Sequence, residues 1–277
     1  MTDTYLGEVA AGQRFEFGKN WQNFLSRVDE SRIRGAEDSL KTMLGQSSLA
    51  GKSFLDIGSG SGLFSLAATR LGASRVHSFD YDPYSVECTR TLKRQCGSTE
   101  SNWTIEQASA LDSEYLRSLG QFDVVYSWGV LHHTGNMWQA LENVSPLVTP
   151  GGSLLIAIYN YQPFFSGYWR VIKRTYNILP EFCQKVMTVG FSASYGTALA
   201  IADLMRRRNP LRRWTTQANR GMAMYVDMQD WIGGFPFEVA SPEEIFRFYR
   251  DRGFTLRELK TCGGKHGCNQ FVFRRVG

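Results

Sequence analysis

Apolar positions along this chain follow two rhythms, and the change between them divides it. From residue 50 to residue 160, short apolar runs alternate with stretches whose apolar residues recur every three to four positions. The runs read as buried strands over 53–57, 75–80, 102–107, 122–127 and 152–159. The periodic stretches read as helices over 62–71, 83–95, 112–119 and 136–147. Pro83 suits a first helical turn, and Pro150-Gly151-Gly152 reads as a turn that launches the fifth strand. Such alternation predicts a parallel sheet with helices on both faces.

Ahead of this core, Phe24, Leu25 and Val28, then Ile33, Ala36, Leu40 and Leu44, recur at helical spacing, and Gly45 is a stop signal. Two helices are therefore expected ahead of the first strand. After residue 160 the rhythm breaks. Residues 160–241 hold helical stretches near 165–178, 181–190 and 197–208, with basic clusters and an aromatic, glycine-containing segment, but no strand–helix alternation. Order resumes at Ser241-Pro-Glu-Glu244, which opens a helix running to about Arg252. Strands over 254–261 and 268–275, joined through Gly263–Gly267, should be antiparallel neighbours.

Composition narrows the class. The 277 residues are 43% hydrophobic, with a mean hydropathy of −0.28, as in ordinary globular chains. No segment approaches the roughly 18 uninterrupted apolar residues of a membrane span, and Met1-Thr-Asp-Thr-Tyr5 has no secretory pattern. Five scattered cysteines (Cys88, Cys96, Cys183, Cys262, Cys268) read as reduced thiols, so the expected location is the cytoplasm. A net charge of +5 permits anionic partners without requiring them.

The chemistry is concentrated at Phe54-Leu-Asp-Ile-Gly-Ser-Gly-Ser-Gly62. A strand that turns through glycines into a helix offers bare backbone N–H groups to a ligand. The second strand ends in Asp80, placed to bind a sugar diol. The spacing is not the G-x-G-x-x-G of dinucleotide binders.

Four blocks together, Leu55–Gly62, Ser78-Phe-Asp-Tyr-Asp-Pro83, Phe122–His133 and Leu147–Ile156, resemble the class I S-adenosylmethionine-dependent methyltransferases, with small-molecule enzymes of the ubiquinone O-methyltransferase type nearest. The resemblance covers about 50–160 and 241–277. It implies an α/β fold: a doubly wound, seven-stranded, mostly parallel, Rossmann-like sheet forming a single methyltransferase domain over 1–277. Residues 1–45 would be a helical lid and 160–241 a substrate-side helical insertion. The implied cofactor is S-adenosyl-L-methionine. Gly58, Ser59, Gly60 and Gly62 would line its methionine and ribose, while Asp56 would orient the loop or reach the ammonium through water. Asp80 would bind the ribose hydroxyls, with Tyr81 beside the adenine. The family often has an aspartate after the third strand; here Ser109 and Ala110 stand in that segment, leaving Ser109 or Asp112 for the adenine. Ser127 and Trp128 would floor the methionyl side, with ordinary core packing as the rival reading of Trp128.

Acceptor chemistry is less legible. His132 and His133 follow the fourth strand at the edge where α/β ligands bind, and a histidine suits a base near neutral pH. Tyr159 and Asn160 enter the insertion and are further catalytic candidates; Tyr161 stands beside them. Asp227, Asp230 and Trp231 lie in an aromatic loop suited to a substrate lid, and Phe17, Trp21 and Asn23 in an aromatic arm that either covers the cofactor or packs as core. No metal site is expected, because Cys262, His266 and Cys268 lack zinc spacing. Arg206–Arg208, Arg212, Arg213, Lys173 and Arg174 read as a solvated basic face. The expected reaction is methyl transfer to a small molecule, at oxygen; the alternatives are attack at another sulfonium carbon, cyclisation of the methionyl chain, or a tRNA or rRNA acceptor. No recognised nucleic-acid module is present, peripheral membrane contact stays open, and so does the oligomeric state.

Overall fold

The apolar runs assemble into one sheet of seven strands. These are β1 (Ser53–Ile57), β2 (Arg75–Asp80), β3 (Trp103–Gln107), β4 (Phe122–Trp128), β5 (Val148–Tyr159), β6 (Phe254–Lys260) and β7 (Cys268–Arg275), in the order β3-β2-β1-β4-β5-β7-β6. The computed structural model describes residues 1–25, 28–96, 102–207, 224–263 and 267–277, with backbone alone at 23 and at 224–227. The first five strands run parallel; β7 is antiparallel to both β5 and β6. The order reverses between β1 and β4, and this switch point opens a crevice at the carboxyl ends of the strands.

Each face of the sheet carries its own core. Phe54, Val76, Val124 and Leu155 pack with α3 (Glu30–Leu44) and α4 (Leu63–Arg70). Leu55, Ile57, Val125 and Ile156 pack on the other face with α7 (Met137–Val144) and α11 (Pro242–Arg250). Helix starts follow the local chemistry. Asp82 accepts the Tyr84 N–H at the head of α5 (Pro83–Gln95), and Asp112 accepts the Tyr115 N–H at the head of α6 (Ser113–Ser118). Ser241 and Glu244 form the reciprocal capping box of α11. Gly45 ends α3 in the left-handed conformation, as its position predicts.

Three expectations about elements need correction. A first helix, α1 (Thr2–Ala10), precedes α2 (Phe17–Leu25) and α3, so three helices and not two lead into the sheet. Only Tyr5 of α1 is buried, which leaves no apolar periodicity to detect. The insertion's helices are α8 (Phe165–Ile178), α9 (Glu181–Met205) and α10 (Met224–Gly233); α9 is continuous across 191–196, where small residues weaken the helix signal but no proline breaks it. Strand β5 starts at Val148, with Pro150-Gly151-Gly152 absorbed as an irregularity within the strand. Arg208, Arg212, Arg213 and His266 lie outside the described residues, and so do the side chains of Asn23 and Asp227.

Candidate active site

At the crevice, the glycine turn is locked to the end of β2. The N–H groups of Gly58 and Ser59 both donate to the Phe79 carbonyl, at 2.8 and 3.1 Å. The Gly60 N–H donates to Asp80 Oδ2 at 2.9 Å. Two of the glycines are sterically required. At Gly58 (φ 75°) a Cβ would lie 2.4 Å from Val130, and at Gly62 (φ 79°) it would lie 2.7 Å from Thr89. Asp80 also accepts the Asp82 N–H, at 3.0 Å. Burial, and then the neighbouring Asp82, lift the Asp80 carboxyl to about 7.

Asp56 lies deeper. It accepts the Ser65 hydroxyl from α4, in a chain continued by Ser78 and the Trp103 indole N–H, and burial lifts it to about 7 as well. Its contacts are those of a residue orienting the turn from below. Ser109 follows β3 and its hydroxyl accepts the Leu111 N–H; Asp112 is committed to capping α6, which leaves Ser109 the freer group in that segment. Ala110 is buried, its carbonyl bound by Asn143. The Ser127 hydroxyl donates to the Ile57 carbonyl between strands. Trp128 stacks on Tyr126, with ring centroids 5.6 Å apart, and packs against the α3–α4 core.

The N-terminal helices cover this edge. Trp21 lies over the glycine turn, where a Cβ on Gly60 would come within 2.9 Å of its indole. The Gly18 N–H donates to Asp82 Oδ2 at 2.7 Å, anchoring α2 to the start of α5. Tyr81 meets Tyr5 edge-on and the Arg14 guanidinium, 4.8 Å from its ring centroid. Arg14 also donates to the His133 carbonyl at 2.9 Å, while Phe17 packs on the His133 ring at 4.9 Å. Asn20 donates to Asp230 Oδ1 in α10, at 2.5 Å.

Beyond the glycine turn, a short 3₁₀ turn over Leu131–His133 buries both histidines. His133 Nδ1 lies 2.6 Å from the Pro236 carbonyl. A carbonyl only accepts, so Nδ1 carries the proton and Nε2 the lone pair. Burial holds His133 down at about 3, so the ring is neutral near pH 7. His132 is fully enclosed; neither of its nitrogens reaches a hydrogen bond of good geometry, and burial pushes its pKa well below the ordinary value. Tyr159 links the pair to the insertion, its ring centroid 3.9 Å from His132 and 5.4 Å from both Trp231 and Phe237. Tyr159 and Asn160 line a small pocket with Gln162, Ser166, Trp169, Trp231, Phe237 and Gly267. Asn160 Oδ1 accepts from Asn269, fixing β5 to β7, and Tyr161 is exposed.

Lys173 overturns its reading as part of a solvated face. It is fully buried, its ammonium 4.5 Å from the Trp231 ring centroid and 4.9 Å from that of Phe237, and it donates to the Trp231 carbonyl at the end of α10. Burial lowers it to about 7. The signal was present in the spacing: Trp169, Ile172 and Tyr176 place Lys173 on the inward side of α8. Among the described residues no group of three or more His, Cys, Asp or Glu is arranged for a metal, and no helix is long and apolar enough to cross a membrane.

The donor set fits the cofactor that the sequence implies: glycines where side chains cannot stand, beside a buried carboxylate at the end of β2. Residues 55–154 match a family described as a methyltransferase domain. The chain is 30% identical over 115 residues to a ubiquinone biosynthesis O-methyltransferase of Xanthomonas euvesicatoria pv. vesicatoria, covering 42% of this chain and 46% of that protein. It is 39% identical over 72 residues to a ribosomal protein L11 methyltransferase of Legionella pneumophila, covering 26% of this chain and 25% of that protein. The chain thus spans less than half the length of these relatives. In three dimensions it is similar to magnesium protoporphyrin IX methyltransferase of Synechocystis PCC 6803, solved with bound SAH, with a TM-score of 0.54 at 14% identity over 94% of each chain.

Proposed function

We propose that this chain, whose residues 55–154 match a methyltransferase domain family, is a class I S-adenosylmethionine-dependent enzyme that transfers the methyl group to an oxygen of a small-molecule acceptor. Gly58, Ser59, Gly60 and Gly62 would hold the methionine and ribose portions, Asp80 the ribose hydroxyls, and Tyr81 and Ser109 the adenine side. The cofactor, when bound, supplies an electrophilic methyl on a positive sulfonium. The protein's task is then to align the acceptor, exclude water and accept a proton.

One observation carries the reading: His133 stands at the cofactor edge with its tautomer fixed by Pro236, presenting Nε2 as a lone-pair nitrogen beside Tyr159. Nε2 would accept a hydrogen bond from the acceptor's hydroxyl and take its proton only as the methyl–oxygen bond forms, since a ring held near 3 is too weak a base to ionise the hydroxyl beforehand; the Pro236 carbonyl fixes the ring through Nδ1–H. Tyr159 and Asn160 would position the acceptor. His132, enclosed and without a good hydrogen bond, would act through packing. Helices α1 and α2 would serve as the lid, since Phe17 and Trp21 reach both the glycine turn and His133. We place the protein in the cytoplasm on its reduced-thiol composition.

The ribosomal protein L11 methyltransferases match 26% and 39% of this chain, short stretches that leave the acceptor open. The test is incubation of the purified chain with methyl-labelled cofactor and fractionated cell extract. Label in a small-molecule fraction, with adenosylhomocysteine as by-product, is expected. Methylthioadenosine would replace methyl transfer by another use of the sulfonium, and label in protein or RNA would reject the small-molecule acceptor.

A further inference from the structure

The outward sides of α8 and α9 do not resemble the surface of the rest of the chain. Phe164 is 95% exposed, Val171 65%, Phe182 77% and Met205 81%, and Phe165, Tyr168, Ile178, Val186, Val189 and Leu204 are each more than half exposed. Their spacing is ordered. Phe164, Tyr168, Val171 and Ile178 follow one side of α8, and Phe182, Val186 and Val189 one side of α9. The opposite sides, through Ile172, Tyr176, Met187 and Phe191, pack toward α10 and Phe15. Apolar patches of this extent are rare on isolated globular chains and mark an interaction surface.

Charge selects the occupant. Within 160–207 the exposed cations are Arg170, Arg174, Lys185, Arg206 and Arg207, against one exposed anion, Glu181; the other acidic residue, Asp203, is buried. We propose that the outward face of α8 and α9 docks the protein on an anionic lipid surface, with the apolar side chains entering the headgroup boundary and the arginines meeting lipid phosphates. A second copy fits less well, since a two-fold pairing brings together two faces that both carry this excess of cations. Amphipathic helices with aromatic and aliphatic residues flanked by cations bind membranes in the interfacial plane without spanning them. Docked this way, the protein turns its acceptor side to the lipid. The pocket residues Gln162, Ser166 and Trp169 adjoin Phe164 and Phe165 in the chain, at the start of α8.

The full chain should co-sediment with phosphatidylcholine vesicles that contain phosphatidylglycerol, bind pure phosphatidylcholine weakly, and lose affinity as salt rises. Arg170→Gln with Arg174→Gln should weaken binding about 25-fold, at roughly fivefold per cation. Phe164→Ser with Val171→Ser and Phe182→Ser should weaken it tenfold or more, with an unchanged melting temperature, because these side chains are exposed. Binding that ignores phosphatidylglycerol, or that survives both sets of changes, would overturn the proposal. So would no vesicle binding, whether the chain is monomeric or forms dimers that the serine variant dissociates. Every readout is independent of methyl transfer, so a failure here leaves the proposed reaction standing.

Discussion

The two halves of the crevice are built from different materials. The proposed cofactor side is backbone: Gly58, Ser59 and Gly60 bonded to Phe79 and Asp80, all supplied by one strand–turn–helix and the next strand. The proposed acceptor side is side chains drawn from distant segments: Phe17 from α2, His133 after β4, Tyr159 on β5, Lys173 on α8, and Trp231 and Phe237 around α10. A backbone site tolerates almost no change in residue type but is specified by a short stretch of sequence. A side-chain site can be rebuilt for a new acceptor while the sheet stays fixed.

The largest effect should come from filling the backbone side. Gly58→Ala puts a Cβ 2.4 Å from Val130 at a residue with φ 75°. It should cost about 2–5 kcal/mol of stability and at least ~100-fold in cofactor affinity, by thermal melts and calorimetry. Adding Val130→Ala should recover part of both losses, because it removes the 2.4 and 2.5 Å methyl contacts and leaves the 2.9 Å approach to the Val130 Cβ and the conformational cost. If Gly58→Ala binds cofactor normally, the turn is not the rigid half of the contrast. On the acceptor side, His133→Ala should lower kcat by ~10²-fold or more with little change in cofactor affinity. An equal fall in cofactor affinity would mean the two sides are not separable.

Asp80 tests the boundary between them. Its carboxyl is lifted to about 7 in the cofactor-free chain, and hydroxyl donors prefer the charged form. Cofactor affinity should therefore fall as pH drops below about 7, approaching tenfold per unit, and Asp80→Asn should weaken binding by ~10–100-fold while flattening that profile. A wild-type affinity unchanged between pH 6 and 8 would show that Asp80 does not bind as a carboxylate.

The same contrast explains what the sequence made legible. The strand–helix alternation, the antiparallel last pair of strands, Gly45, the Asp80 position and the capping box at Ser241 all follow from patterns within a few residues, where propensity, periodicity and turn chemistry act. Helix α1 gave no signal because it buries one side chain, Tyr5. The tautomer of His133 depends on Pro236, 103 residues away, and no local pattern carries that pairing. Lys173 shows how composition misleads: counted with neighbouring cations it looked solvated, while its helical phase with Trp169 and Tyr176 pointed inward.

Lys173 also gives the smallest and most selective test. Its ammonium lies among Tyr159, Trp231 and Phe237 and bonds the Trp231 carbonyl, so a cation caps the carboxyl end of α10. Asp230 favours the charged form, but burial outweighs it and brings the group from 10.5 to about 7. Between those values the unfolded chain binds the proton and the folded chain does not. Stability contributed by this group must then rise with pH from about 7, by at most about 1.4 kcal/mol per unit. Above pH 9 the buried Cys88 thiol, lifted to about 12, acts in the opposite sense, so the informative window is pH 7–9. Lys173→Met replaces the charge with an apolar chain of similar length. At pH 7 the net change should be within about 2 kcal/mol, since loss of the cap opposes removal of a buried charge. The distinguishing result is the slope: wild-type stability should climb relative to Lys173→Met across the window. Parallel curves would mean that Lys173 keeps its proton in the folded chain, making it a permanent cation in the aromatic cage and the acceptor side more rigidly charged than this contrast assumes.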